Sequence, residues 1–176
     1  MNEELYRIFD IGLKIFTVTL IMIAYYQLRE TKQKRHIDMY WKIAEIYNSE
    51  EQRKARANIH DVRHFIEKLQ EASIPEPQMV RMYNQQYHIS KDMEQRAIDR
   101  TIIHRIRFLN QTGALLRKNL VDKDLLFGLI GVGFEYDFPI IKIVLVAHRG
   151  QHGMQYIYRE LEGLWTTYQK WKQKFA

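Results

Sequence analysis

Residues 15–26 read Ile-Phe-Thr-Val-Thr-Leu-Ile-Met-Ile-Ala-Tyr-Tyr, and this run decides the fold of the N-terminal part of the chain. The apolar stretch extends outward to Ile8 and Leu28, which gives about 21 residues and about 31 Å of helix. That length matches the hydrocarbon core of a bilayer, and the run has no polar stripe of the kind that amphipathic surface helices carry. The sequence therefore predicts a single uncleaved membrane span at about residues 8–28.

One charged pair interrupts the predicted span. Asp10 and Lys14 lie four residues apart, so their side chains share one face of the helix and can form an ion pair. A lysine near the end of a span also extends its ammonium group toward the nearer membrane surface. We expect a structural intramembrane pair, and the alternative is an oligomeric pore that Lys14 lines.

The charges on either side of the span predict its orientation. Arg29, Lys32, Lys34 and Arg35 follow the span, whereas Arg7 is the basic residue that precedes it. Cytoplasmic flanks of membrane spans are enriched in Lys and Arg. We therefore expect a single-pass inner-membrane protein, with its N-terminus outside and its C-terminus in the cytoplasm.

The chain divides into two parts: residues 1–28, the tail and span, and residues 29–176, a predicted cytoplasmic helical bundle. Because the sequence has no cysteine, it forms no disulfides, thiolate nucleophiles or cysteine-based zinc sites. Residues 29–176 contain 25 Lys and Arg against 18 Asp and Glu, and this basic excess suits a domain held beside an anionic membrane leaflet. The fold class predicted is all-α, with the single transmembrane helix continuing into the bundle.

Helix boundaries follow from capping residues and apolar periodicity. The first helix is predicted to run without a break to Tyr47, and Ser49 with Gln52 forms a capping box for a helix over about 50–72. Ser90 is predicted to cap a helix that ends near Lys118.

The C-terminal third is predicted to contain three further helices. Asp122 caps one over 123–136, and Phe138-Pro139 opens a second that ends at His148. Gly150 and Gly153 are expected to break the chain before the last helix. The apolar side chains of that helix recur every three or four residues from Met154 to Phe175.

His60-Asp-Val-Arg-His64 is the sequence's most explicit metal-binding pattern. Two histidines at i and i+4 on a helix can share one zinc ion, but a third ligand is also required. No partner for His60 and His64 is evident in the sequence. The pair is therefore a weak candidate metal site, and we expect no cofactor.

Arg96, Arg100, His104 and Arg107 are spaced by four, four and three residues, so they form one row on a helix. This basic row is a candidate contact surface for phosphates, nucleic acid or an acidic protein. The alternatives are a solvated face, or a row from which one or two arginines turn inward to pair with acids.

The run from Arg105 to Phe127 reads Arg-Ile-Arg-Phe-Leu-Asn-Gln-Thr-Gly-Ala-Leu-Leu-Arg-Lys-Asn-Leu-Val-Asp-Lys-Asp-Leu-Leu-Phe. Together with Ser49–Arg56, this run resembles a bacterial domain-of-unknown-function family of short proteins. Members of the family have an N-terminal membrane helix and a helical cytoplasmic part. The resemblance covers most of residues 30–150. The resemblance implies a fold and does not indicate an activity.

The function expected from these features is a single-pass, membrane-anchored helical module that recruits or senses a partner without catalysis of its own. Its expected partners are the lipid bilayer and either a protein or a second copy of the chain, with nucleic acid less favoured. The alternatives are a membrane-disrupting or pore-forming effector that oligomerises through its span, and a membrane-tethered enzyme.

Overall fold

The computed structural model describes residues 3–152 and 158–174, and the side chains of residues 16–150 and 158–174. Regular structure in these parts of the chain is entirely helical, so the predicted all-α bundle is confirmed. A short π-helical segment, the π turn (Asn84–His88), follows the third helix directly. The α-helices are α1 (Glu3–Tyr47), α2 (Glu50–Glu71), α3 (Glu76–Tyr83), α4 (Met93–Arg117), α5 (Lys123–His152) and α6 (Arg159–Lys172).

Helix α1 is a single continuous helix to Tyr47, as the sequence predicts. Residues 16–35 are exposed along their whole length, and contact with the bundle begins at His36, whose Nε2 lies 3.1 Å from the backbone oxygen of Asn119. Ile43 and Ala44 are then buried. The predicted pair of Asp10 and Lys14 lies outside the described side chains.

Among the described residues, no helix is both long and apolar enough to span a bilayer.

The core lies between α2, α4, α5 and α6. Ile59, Val62 and Ile66 of α2 are buried, at the three- and four-residue spacings of one helix face. The same core includes Ile102, Ile106 and Leu109 of α4, Ile130, Phe134 and Ile141 of α5, Leu161, Leu164 and Tyr168 of α6, and Met79 and Tyr83 of α3. The predicted last helix begins only at Arg159, and its expected residues Met154 and Phe175 lie outside the described part of the chain.

Helix α5 corrects two predicted breaks. It runs without interruption through Pro139 and through Gly150, although both residues were expected to end or separate helices. Proline removes one backbone hydrogen bond and disfavours a helix interior. Here Phe134 lies before Pro139 and Ile141 after it, both fully buried, so core packing on each side holds the helix together.

The helix caps follow the sequence at two of the three predicted positions. The Ser49 hydroxyl accepts a hydrogen bond from the backbone N–H of Gln52, and the Asp122 carboxylate accepts one from that of Asp124. The predicted cap at Ser90 is wrong, because Asp92 caps α4 and Ser90 accepts a hydrogen bond from the Asp92 backbone N–H. The C-terminal end of α4 is at Arg117, close to the prediction.

Helices α1 and α4 run antiparallel. His36 contacts Asn119 just beyond the end of α4, and eleven residues later the ring of Tyr47 lies 6.4 Å from that of Phe108. The N-terminal end of α4, near Asp99, therefore lies on the side of the bundle that faces away from residues 16–28.

Candidate functional site

The histidine–aspartate cluster consists of Tyr83, His88, Asp99 and His148. Asp99 is buried at its centre. Its Oδ1 accepts a hydrogen bond from the Tyr83 hydroxyl at 2.6 Å and lies 3.3 Å from His148 Nε2, and its Oδ2 lies 2.9 Å from His88 Nδ1. The rings of His88 and His148 are 4.1 Å apart between centroids. One carboxylate thus joins two imidazoles and a phenol.

The electrostatics of the cluster favour an ionised aspartate and a neutral phenol. Burial acts to raise the pKa of Asp99, but hydrogen bonds from His148, Tyr83 and His88 outweigh it, and the pKa lies below its ordinary value. Burial, together with the charge of Asp99, raises the pKa of Tyr83 well above its ordinary value. Tyr83 therefore remains a hydrogen-bond donor that orients the carboxylate.

Four separate elements bring the cluster together, and Tyr83 is the last residue of α3. His88 ends the π turn, in which the backbone N–H of Ile89 reaches the Asn84 carbonyl five residues back. Asp99 lies in the second turn of α4, and His148 lies near the end of α5, beyond Pro139. Because α5 continues through that proline, His148 is held at a fixed position against α4.

The cluster opens into a cavity of about 410 Å³, the basic cavity, between α4, α5 and the π turn. The side chains of His88 and His148 are 16% and 13% exposed, so both are reached from solvent through this opening. The cavity is lined by His88, Arg96, Asp99, Arg100, Ile103, His104, Arg107 and His148.

The basic row predicted from the sequence lines this cavity with all four of its members. Arg96 is half-buried, and its Nε is buried without a hydrogen-bond partner. Arg100 and Arg107 are exposed, and His104 lies 2.8 Å from a carboxylate oxygen of Glu51. The row is thus the positively charged wall of a pocket.

His60 and His64 lie elsewhere, exposed on α2, with ring centroids 4.5 Å apart. His64 Nδ1 is 3.4 Å from Glu67. Within the described residues, the group of three that brings its possible ligand atoms within 4.8 Å of one another is His88, Asp99 and His148 instead.

Sequence reasoning missed this cluster because its members come from four elements and lie up to 65 residues apart in the chain. One signal was present: Asp99 precedes Ile102, Ile103 and Ile106 at the three- and four-residue spacings of the buried face of α4. A buried carboxylate on an apolar helix face requires partners and is therefore a marker of a site.

Comparison of the chain with known families, with curated proteins and with solved structures finds no match. Membership of the family that the sequence resembles stays a prediction.

Proposed function

We propose that this chain is a membrane-anchored, non-catalytic helical module that binds a soluble anionic partner at its basic cavity. Residues 8–28 form its bilayer span, and the bundle lies on the cytoplasmic side, as the flanking charges predict. The observation that carries the proposal is the apolar segment, residues 16–28, which projects from the bundle with its side chains exposed on every face.

The apolar side chains of residues 16–28 require an apolar environment on every face of the helix. Its large apolar side chains are between 48% and 73% exposed, and they occupy the whole circumference of α1. A partner helix covers one seam of a helix and leaves the rest in water, whereas a bilayer covers all faces. These exposed residues are Phe16, Val18, Leu20, Ile21, Met22, Ile23, Tyr25, Tyr26 and Leu28.

The position of the cavity favours a soluble partner over a lipid headgroup. From Leu28 to His36, α1 rises about 12 Å, and from Asn119 back to Asp99 the antiparallel α4 rises about 30 Å. With α1 along the membrane normal, the cavity lies about 40 Å beyond the end of the span. This distance exceeds the Debye length of about 8 Å at physiological ionic strength, so the surface potential of the membrane does not act on the cavity.

The chemistry of the cavity favours a phosphate or carboxylate group. Arg100 and Arg107 supply exposed guanidinium groups, which match phosphate and carboxylate oxygens in bidentate geometry. Arg96 adds a third guanidinium group to the lining of the cavity. An anion at this position reduces the repulsion within the basic row.

Membrane attachment is tested with paired arginine substitutions. The Ile21→Arg/Ile23→Arg variant is expected to leave the membrane fraction, because each arginine near the centre of a span costs about 2.5–3.5 kcal/mol. The matched control is Ile37→Arg/Ile46→Arg, which alters two exposed isoleucines of the same helix beyond the span and is expected to stay membrane-bound. Carbonate extraction followed by detergent extraction measures the distribution. Recovery of the wild-type chain in the carbonate-soluble fraction contradicts the anchor.

Anion binding is tested with pyrophosphate as the probe, titrated calorimetrically into the full chain in detergent. Arg100→Ala/Arg107→Ala is expected to weaken binding at least about tenfold, the loss of about 1.4 kcal/mol of charge-assisted hydrogen bonding. The control Lys54→Ala/Lys68→Ala removes two exposed charges from α2 and is expected to leave the affinity unchanged. Equal weakening by both variants indicates non-specific attraction and contradicts a built site. Vesicles with anionic lipids test the headgroup source separately.

A further inference from the structure

We propose that His88, Asp99 and His148 form a binding site for one divalent transition-metal ion of the zinc type. The three residues are ligands of the kinds that such ions prefer, two imidazoles and one carboxylate. The inference rests on the geometry of these side chains and does not depend on membrane attachment or on anion binding.

The distances between the ligand atoms suit a tetrahedral ion. With metal–ligand bonds of about 2.1 Å, neighbouring ligand atoms in a tetrahedral site lie about 3.4 Å apart. The two N···O distances from His88 and His148 to Asp99 are 2.9 and 3.3 Å, and all the ligand atoms lie within 4.8 Å of one another. Small side-chain rotations are therefore enough to place one ion between them.

Supporting contacts hold the carboxylate in position. The fully buried Tyr83 hydroxyl donates to Asp99 Oδ1, and the Tyr83 ring stacks on Tyr87 with a centroid distance of 5.2 Å. Hydrogen bonds of this kind orient metal-binding carboxylates, and their loss typically weakens metal binding by about 10–100-fold. Tyr83 is thus a positioning residue for the proposed site.

The π turn supplies a second, independent indication. π-helical segments are rare and occur frequently at functional sites. Here the π turn ends at His88 and delivers that side chain to Asp99.

Within the described part of the chain, the cluster provides three ligands, which leaves one position of a tetrahedral ion. Three-ligand sites of this type keep their fourth position for water or for another molecule. That position opens into the basic cavity, where Arg96, Arg100 and Arg107 lie. The positive charge of the arginines opposes cation binding, whereas an anion bound to both the ion and the arginines offsets this repulsion.

The test is metal binding by the full chain in detergent, after removal of bound metal, in a chloride buffer without phosphate. Zn²⁺ is titrated calorimetrically, and Co²⁺ serves as a spectroscopic probe of tetrahedral coordination. One ion is expected to bind per chain, and His148→Ala is expected to weaken binding at least about 100-fold. The matched control is His60→Ala/His64→Ala, which removes the exposed pair on α2 and is expected to leave the affinity unchanged.

Three outcomes of the metal titrations contradict the proposed site. A wild-type chain that binds no ion, or a His148→Ala variant that binds as tightly as wild type, shows a hydrogen-bonded cluster only. If the His60→Ala/His64→Ala control loses metal binding, the ion binds on α2, and the assignment to His88, Asp99 and His148 is wrong. If circular dichroism shows that His148→Ala does not fold, Tyr83→Phe decides instead: about tenfold weaker binding supports the site, and unchanged binding overturns it.

Discussion

Replacing Arg105 by alanine is expected to lower the free energy of unfolding by about 3–5 kcal/mol, the usual loss when one partner of a buried ion pair is removed. Arg105 is fully buried, and its Nε and Nη2 donate to Asp137 Oδ2 at 3.2 and 3.0 Å. Its Nη1 donates to Gln52 at 3.3 Å, and its guanidinium lies 4.9 Å from the centroid of the Tyr47 ring. The alanine variant leaves a buried carboxylate and a buried amide without these partners.

The dependence of this loss on pH gives a second readout. Burial raises the pKa of Asp137 above its ordinary value of 3.8, although Arg105 acts to lower it. Without Arg105 the pKa rises further, so the folded variant binds a proton that the unfolded chain releases. Stability of the variant therefore recovers as the pH falls from 7 toward the unfolded pKa. We expect the deficit of Arg105→Ala to be smaller at pH 5 than at pH 7.

Urea unfolding in detergent, followed by circular dichroism, measures both effects. The control is Arg107→Ala, two residues further along α4 and exposed, which is expected to change stability by no more than about 0.5 kcal/mol. A loss below about 1 kcal/mol for Arg105→Ala, or an equal deficit at both pH values, contradicts the role assigned to the pair.

Replacing Gly113 by alanine is expected to destabilise the bundle by about 1–3 kcal/mol and to displace α6 from α4. A Cβ at Gly113 meets the backbone carbonyl oxygen of Glu160, and it lies 2.9 Å from the carbonyl carbon and 3.2 Å from Leu164 Cβ. Because the obstacle is helix backbone, it moves only with the whole of α6. The glycine thus permits the close approach of the two helices.

The matched control is Gly128→Ala on α5, where an added Cβ meets nothing within 4 Å. Alanine is favoured over glycine in an open helix position, so this variant is expected to gain about 0.5–1 kcal/mol. Trp165 of α6 stacks on Phe138 at 4.0 Å, and its fluorescence reports displacement of the helix. Similar stability changes for the two alanine variants contradict the close approach at Gly113.

Much of the fold is predictable because its determinants are local. The continuity of α1 and the caps at Ser49 and Asp122 depend on residues within one or two helical turns, and all three predictions are confirmed. The predicted break at Pro139 is wrong because core contacts from distant helices outweigh a local preference. Helix propensities and capping patterns do not give the free energy that contacts with distant helices contribute.

The candidate site is less predictable. The shared face of the basic row follows from its spacing on one helix, and the four residues do line one cavity. The arginine of α4 that turns inward to pair with an acid is Arg105, which follows His104 directly and is not a member of the row. Its partner Asp137 lies on α5. Asp99, His88 and His148 meet only after three helical elements have packed together, and the sequence analysis predicts no π turn at residues 84–88.

Because α1 is continuous, a tilt of the proposed span is transmitted to the bundle. Its 45 residues give a rigid rod about 68 Å long. The rod ends at Tyr47, whose hydroxyl faces Gly133 and whose ring lies beneath Arg105, so the bundle turns with the rod. If the span lies in a bilayer as proposed, a change in bilayer thickness that tilts it by about 20° would swing a cavity 40 Å away by about 14 Å. In that arrangement, the lipid around the first helix would set how far the cavity reaches over the membrane surface.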